Sequence, residues 1–197
     1  MNTPSHLIIS AALRKVLRLQ PIPTGAFLLG SVAPDLPLFA LSIGGLFYFS
    51  LVRGWSLEQA ANYMFADLFF HDPVWISAHN LLHSPLVLLA MLLLLQPLRR
   101  CINSPLRWFW WFALACLLHT LIDIPTHVDD GPLLLWPINW SLRFEAPISY
   151  WDTDYFGREF ALFEAGLNLV LLGYLLGPPV LRRMARRFAS RRHLGAE

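Results

Sequence analysis

Apolar residues fill this chain in long blocks, and polar residues fall between the blocks at prolines and at short charged clusters. Thr3-Pro4 reads as a helix N-cap followed by proline at the first helical position. A helix over 4–19 follows, with Leu7, Ile8, Ala11, Ala12, Val16 and Leu19 along one face. It is too short to span a bilayer, and Arg14, Lys15 and Arg18 charge its end. Pro21 and Pro23 break it. From Gly25 to Val52 the chain is almost wholly apolar, interrupted by Ala33-Pro34-Asp35-Leu36-Pro37. The length suits a span, and the interruption equally suits a re-entrant or kinked element.

Residues 54–72 set Trp55, Glu58, Asn62, Tyr63 and Asp67 among apolar neighbours, a pattern suited to a membrane interface. Asp72-Pro73 is a second cap-and-proline start, and its helix carries His79 and His83 before Ser84-Pro85. Proline at 85 removes a donor and clashes with the preceding turn, so the helix kinks or restarts there. Apolar sequence continues to Leu98. Arg99, Arg100 and Arg107 flank a short loop, a span follows over 107–124, a loop rich in Pro, Trp and Asp covers 125–159, and a last span covers 160–180. Backbone groups in lipid must pair internally. The expected fold is therefore all-α, with about four transmembrane helices plus the short N-terminal helix. Residues 1–181 form one membrane-embedded domain, and 182–197 a basic cytoplasmic tail.

Composition sharpens this picture. Of 197 residues, 56 % are hydrophobic and 14 % charged, against roughly 25 % charged in ordinary globular chains. Eight Trp and fourteen Phe add to the apolar load, more than a small soluble domain could bury. The net charge of +2 says little, but its distribution orients the chain. Arg182, Arg183, Arg186, Arg187, Arg191 and Arg192 crowd the tail, and basic segments stay in the cytoplasm. This puts 99–107 and the C-terminus inside, with 54–72 and the acidic 125–159 loop outside. His6 would then lie inside while the other chemical candidates lie outside, unless residues 1–37 follow a re-entrant path. The tail lacks interleaved aromatics, so membrane lipids rather than nucleic acid are its expected partner. Cys101 and Cys116 have no metal or disulfide spacing. No cleavable signal peptide is evident, because the basic residues follow the first apolar stretch.

The sharpest chemical signal is His119-x3-Asp123-x3-His127. Positions i, i+4 and i+8 share one helical stripe, although Pro125 bends or ends the helix before His127. Imidazole and carboxylate together suit zinc and related divalent ions. Ionisable groups in a span cost at least ~2.5 kcal/mol each on insertion scales, which argues against an idle role. His79 and His83 form a second i, i+4 pair able to share an ion, with Asn80 where a helical zinc motif carries its glutamate. His79 serves equally as ligand or as hydrogen-bonding support. Asp35 reads alone as a turn residue and beside the histidines as a ligand; His6 joins them from the first turn of the first helix. Glu164 is a weaker candidate. Asp129 and Asp130 read as a polar turn, His71 as a loop residue, and His193 as solvated. These candidates exceed the needs of one ion, and bridging carboxylates would suit two or more.

The order His6, Pro34-Asp35, His83-Ser84, His119-x3-Asp123-x3-His127, Leu135-Trp136-Pro137 resembles a bacterial family of small inner-membrane proteins. The family is known as membrane-bound metal-dependent hydrolases, also described as LexA-binding and inner-membrane-associated. The resemblance covers about residues 3 to 175. It implies a helical protein of the bacterial inner membrane, with metal ligands His6, Asp35, His83, His119, Asp123 and His127. The His-x3-Asp helix with an early His and an upstream Asp is also distantly similar to zinc-dependent phospholipase C, which uses three zinc ions on phosphodiesters. This chain lacks that group's N-terminal Trp ligand and its late His-x3-Glu pair.

The expected function is metal-dependent hydrolysis at the bilayer, through water activated by one to three divalent ions, zinc or manganese. Asp35 and Asp123 are the candidate catalytic carboxylates, and the substrate is a phosphoester or a lipid-linked molecule. Two other readings remain open: a non-catalytic metal-binding or ion-transporting protein, and a purely structural role for the histidines as helix-packing hydrogen bonders.

Overall fold

The computed structural model describes residues 1–17, 22–97 and 105–194, with side chains as far as residue 177. Arg18, Leu19, Pro21, Leu98, Arg99, Arg100 and Cys101 lie outside the described residues, as do the side chains of the tail arginines and His193. Among the described residues every regular element is helical.

Helix α1 (Thr3–Leu17) begins one residue before the expected proline, and Thr3 is not spent as a cap: its hydroxyl donates to Asp35 Oδ2. Helix α2 (Thr24–Gly30) returns antiparallel to α1. The direction is fixed by α8 (Pro105–Asp123), on which both pack. His6 of α1 meets Asp123 and Leu13 meets the Phe27–Ala115 cluster, whereas in α2 Phe27 packs on Ala115 and Ser31, just past its end, meets His119. The α1–α2 hairpin thus leaves one end of α8 and comes back to it, which brings His6 and Asp35 together at that end.

Gly30 allows the close α2–α8 approach. A Cβ there would sit 2.4 Å from the Phe112 carbonyl oxygen and 2.9 Å from Ala115 Cβ. On the other side of α8 lies α7 (Pro85–Leu95), antiparallel to it through Leu88 against Cys116 and Leu117, and Leu92 near Phe112.

Helix α3 (Leu36–Phe47) starts at Pro37 and runs on through a wider π turn, Tyr48–Val52. Leu36, Phe39, Ile43, Phe47 and Leu51 make an exposed apolar stripe along it. After Gly54, whose φ is +68°, the chain reverses into α4 (Leu57–Asn62), opened by a reciprocal Ser56–Gln59 capping box. It continues as a π turn, Tyr63–Leu68, and α5 (Phe69–His71). Asp72 then caps α6 (Pro73–Asn80), accepting from the Val74 and Trp75 amides. Helix α9 (Gly157–Leu194) runs parallel to α1, held by Asn2–Glu164, Asn168–Ser5 and Lys15–Tyr174 contacts.

Among the described residues two helical stretches are long and apolar enough to cross a membrane, Pro105–Thr126 and Gly157–Gly177. A third exists if α6 and α7, bent by 48° at the break before Pro85, act as one span. This corrects the expectation of about four. The 25–52 block divides into α2 and α3 because Val32 to Leu36 fold into consecutive turns, and Leu36–Val52 is short by itself. The prolines at 34 and 37 lack amide donors, so the chain turns where a span would continue.

The 125–159 segment is mostly irregular, yet part of it is buried. The Leu133 amide donates to Asn80 Oδ1, the Leu86 amide to the Leu134 carbonyl, and Ser84 Oγ to the Trp136 carbonyl. The loop therefore supplies partners for polar groups that the α6–α7 break leaves free.

Candidate metal centre

Four side chains from three places in the chain converge at the end of α8: Asp35, His83, and the α8 pair His119 and Asp123. Each offers one ligand atom, and these atoms all lie within 4.8 Å of one another. All but Asp35 are buried. His119 Nε2 is 2.9 Å from Asp123 Oδ2 and 3.4 Å from Asp35 Oδ1. His83 Nε2 is 3.4 Å from Asp35 Oδ1 and 3.8 Å from Asp123 Oδ2. The two Nε2 atoms are 3.2 Å apart.

The backbone decides how the imidazoles face. His119 Nδ1 lies 2.8 Å from the Ser31 carbonyl oxygen, and His83 Nδ1 lies 2.8 Å from the His79 carbonyl oxygen. A carbonyl oxygen only accepts, so each Nδ1 carries the hydrogen and donates. Each neutral ring then turns the lone pair of Nε2 inward. Two lone pairs 3.2 Å apart, beside two carboxylate oxygens, repel one another unless positive charge, a metal ion or a proton shared with the carboxylates, lies between them. A tetrahedral ion with bonds of about 2.0–2.1 Å spaces its ligands by roughly 3.3–3.4 Å. The observed separations of 2.9 to 3.8 Å bracket that spacing, so the donor set fits a divalent metal.

Both carboxylates have their second oxygen tied down. Asp35 Oδ2 accepts from Thr3, leaving Oδ1 toward the histidines. Asp123 Oδ1 accepts from His6 Nε2 at 2.9 Å and from the Met1 nitrogen at 2.8 Å, leaving Oδ2 toward the group. Burial raises the Asp35 carboxyl, but the His119 and His83 rings at Oδ1 outweigh it when they carry a proton on Nε2, and hold the group below the usual carboxylate range. Supporting partners of this kind fix ligand orientation and basicity.

The other candidates stand around this group. His6 donates to Asp123 and stacks on His119, with ring centroids 3.7 Å apart. Burial lowers its pKa despite the neighbouring Asp123. His79 stacks on His83 at 4.4 Å, and neither of its nitrogens has a hydrogen-bond partner among the described residues. His127 lies past a 3-10 turn, Ile124–Thr126, the bend that Pro125 introduces. Its Nδ1 donates to the Asp123 carbonyl, its ring packs on Tyr150, and burial lowers its pKa. Glu164 is buried and accepts from the Asn2 amide and side chain, fastening α9 to the start of α1.

Three supporting groups escaped the sequence reading. The Ser31 carbonyl has no side-chain signature. Asn80 entered only as a residue in place of a glutamate, yet it is fully buried and links Ile76 to Leu133. An uncharged polar residue between two histidines in an apolar helix was the available signal. Thr3 was assigned to a cap, and nothing local marks it as a partner for Asp35.

A cavity of about 670 Å³ opens beside the group, reaching Asp35, His79, His83, Asp123 and His127. Fold and site together define a helical membrane protein with a buried His/Asp group, able to hold a metal ion, at one end of its central helix. The profile of the YdjM inner membrane protein family matches residues 1–185, and the chain belongs to that family. It is an inner-membrane protein. No curated protein and no solved structure matches the chain.

Proposed function

We propose that this protein is a membrane-bound, metal-dependent hydrolase whose ion sits among Asp35, His83, His119 and Asp123. One observation carries the reading: His83 and His119 have both Nδ1 hydrogens committed to carbonyls while their Nε2 atoms face each other at 3.2 Å. The nitrogen and oxygen donors favour zinc, with manganese second. A bound divalent ion supplies Lewis acidity and lowers the pKa of a water toward neutrality.

The chain's own groups divide the remaining work. The side chain of Asp123 is 4 % exposed and that of Asp35 is 19 % exposed. Asp35 therefore reaches the cavity, where it would hold the ion and orient an attacking water, while Asp123 orients His6 and His119. His6, Thr3 and the Ser31 carbonyl keep the ligand atoms aimed. A phosphoester, including a lipid-linked one, matches a cation flanked by a cavity on the bilayer side of an integral protein. Membrane lipids are then the natural surroundings of the substrate, and nucleic acid plays no part. Convergence of the His and Asp residues at one end of α8, rather than their spread along its length, favours an enzyme over an ion pathway.

The test is the metal content of detergent-purified protein, carrying no metal-binding tag, by elemental mass spectrometry. Near-stoichiometric zinc or manganese, lost in His119→Ala and Asp123→Ala, is expected. A folded wild type that holds no metal and takes up none when zinc is offered refutes the proposal.

A further inference from the structure

The cavity beside the candidate metal centre has two unlike ends. One carries the metal group and His79, a side chain 7 % exposed whose two ring nitrogens lack partners among the described residues. The other is walled by Phe39 of α3 and by Phe65 and Ala66 of the helical hairpin that follows, with Phe69 between the two ends, its ring centroid 5.0 Å from that of His79. Gly45 packs so tightly on Met64 that a Cβ there would lie 2.4 Å from the sulfur, which closes this hairpin toward its tip. Nearer the metal group the two arms leave the cavity between them.

Phe39 belongs to two surfaces at once. It lines the cavity, and it is part of the exposed stripe Leu36, Phe39, Ile43, Phe47 and Leu51. In an inner-membrane protein such a stripe faces lipid, because only hydrocarbon accepts that much apolar surface. Phe65 and Ala66, on the opposite arm, are also exposed cavity-lining residues. Phe39, Phe65 and Ala66 thus give the cavity an apolar mouth at the exposed surface, beside the stripe on α3.

We infer that the cavity admits an amphiphile laterally from the membrane, its hydrocarbon chain passing between Phe39 and Ala66 and its polar head meeting His79 beside the metal group. A chain moving from lipid into this slot exchanges one apolar surrounding for another, so entry has little hydrophobic driving force. Selection falls on the head group, to which His79 offers its two unpartnered ring nitrogens. A volume of about 670 Å³ holds a head group and part of one chain, with the remainder left in the bilayer. The inference rests on the hydrolase proposal only in making the head-group end the reactive end.

The test uses full-length protein in vesicles of phosphatidylethanolamine and phosphatidylglycerol, doped with a phospholipid carrying a mid-chain diazirine. Irradiation and peptide mass spectrometry then locate the adducts, and metal content is read on the same samples. Phe69 is buried, so an adduct there requires a chain inside the cavity. Exposed Leu51 and Leu94 report ordinary lipid contact. Wild type is expected to label at all three. Ala66→Trp is expected to lose the Phe69 adduct and to keep the Leu51 and Leu94 adducts and the metal. Asn62→Trp, at another exposed position lining the cavity, gives the same reading if Ala66→Trp does not fold. Absence of the Phe69 adduct in metal-loaded wild type, or its persistence in a folded blocked variant, overturns lateral entry and leaves the metal proposal standing. A Phe69 adduct on a protein that binds no metal supports lateral entry and refutes the hydrolase.

Discussion

Gly30→Ala is the substitution whose consequence follows most directly from the α2–α8 packing. The added methyl meets the Phe112 carbonyl oxygen at 2.4 Å and Ala115 Cβ at 2.9 Å. Neither obstacle can swing aside, since one is backbone and the other a Cβ. Helix α2 must retreat by about 1 Å to reach ordinary contact near 3.4 Å. Overpacking of this kind costs about 1–3 kcal/mol, and alanine's better helix propensity returns up to ~1 kcal/mol. A net loss of about 1 kcal/mol is expected, read as a lowered Tm in detergent.

The larger effect falls on the metal group. Ser31 follows Gly30 directly, and its carbonyl holds His119 Nδ1 at 2.8 Å. A retreat of about 1 Å takes that contact beyond hydrogen-bond range. Loss of such a supporting bond weakens metal affinity by about 10–100-fold, measurable by titration against a chromogenic chelator. Gly25→Ala is the control in the same helix, since nothing lies within 4 Å of a Cβ there, and it should leave both readouts unchanged. A Gly30→Ala protein with wild-type melting and wild-type affinity would refute the argument that this contact aims His119.

Three further outcomes follow from the same geometry. Zinc affinity should fall as pH is lowered from about 8 to about 5, because histidine ligands bind the ion as neutral rings and protons compete for them. Asp35 stays ionised through that window, its carboxyl being held below the usual range, so a flat profile between about pH 5 and 8 would count against histidine ligation. His79→Ala should retain the metal and His83→Ala should lose it, since His79 only stacks on His83 and lies outside the converging group; elemental analysis of both variants decides. Asn80→Ala strands the buried Leu133 amide, now bonded at 2.7 Å, and should cost about 1–3 kcal/mol in thermal or denaturant unfolding.

The sequence by itself determined what local rules govern. Apolar blocks specified an all-helical membrane protein. Asp72-Pro73 and Ser84-Pro85 marked a helix start and a helix break, because capping and the missing proline amide act within one turn. The i, i+4 spacing set His119 beside Asp123, because the helical repeat alone brings them to one face. Tertiary structure decided everything that depends on distant partners. Thr3 reads as a cap and serves Asp35; His6 reads as a ligand and its Nε2 bonds Asp123 Oδ1; the 25–52 block suits a span or a kinked element equally, and it turns at Asp35. His119 finds its orienting carbonyl at Ser31, 88 residues away, through a contact that only Gly30 permits. Periodicity constrains neighbours within a helix, whereas which faces of separate helices meet depends on packing among all of them, and that packing chose which His and Asp atoms converge.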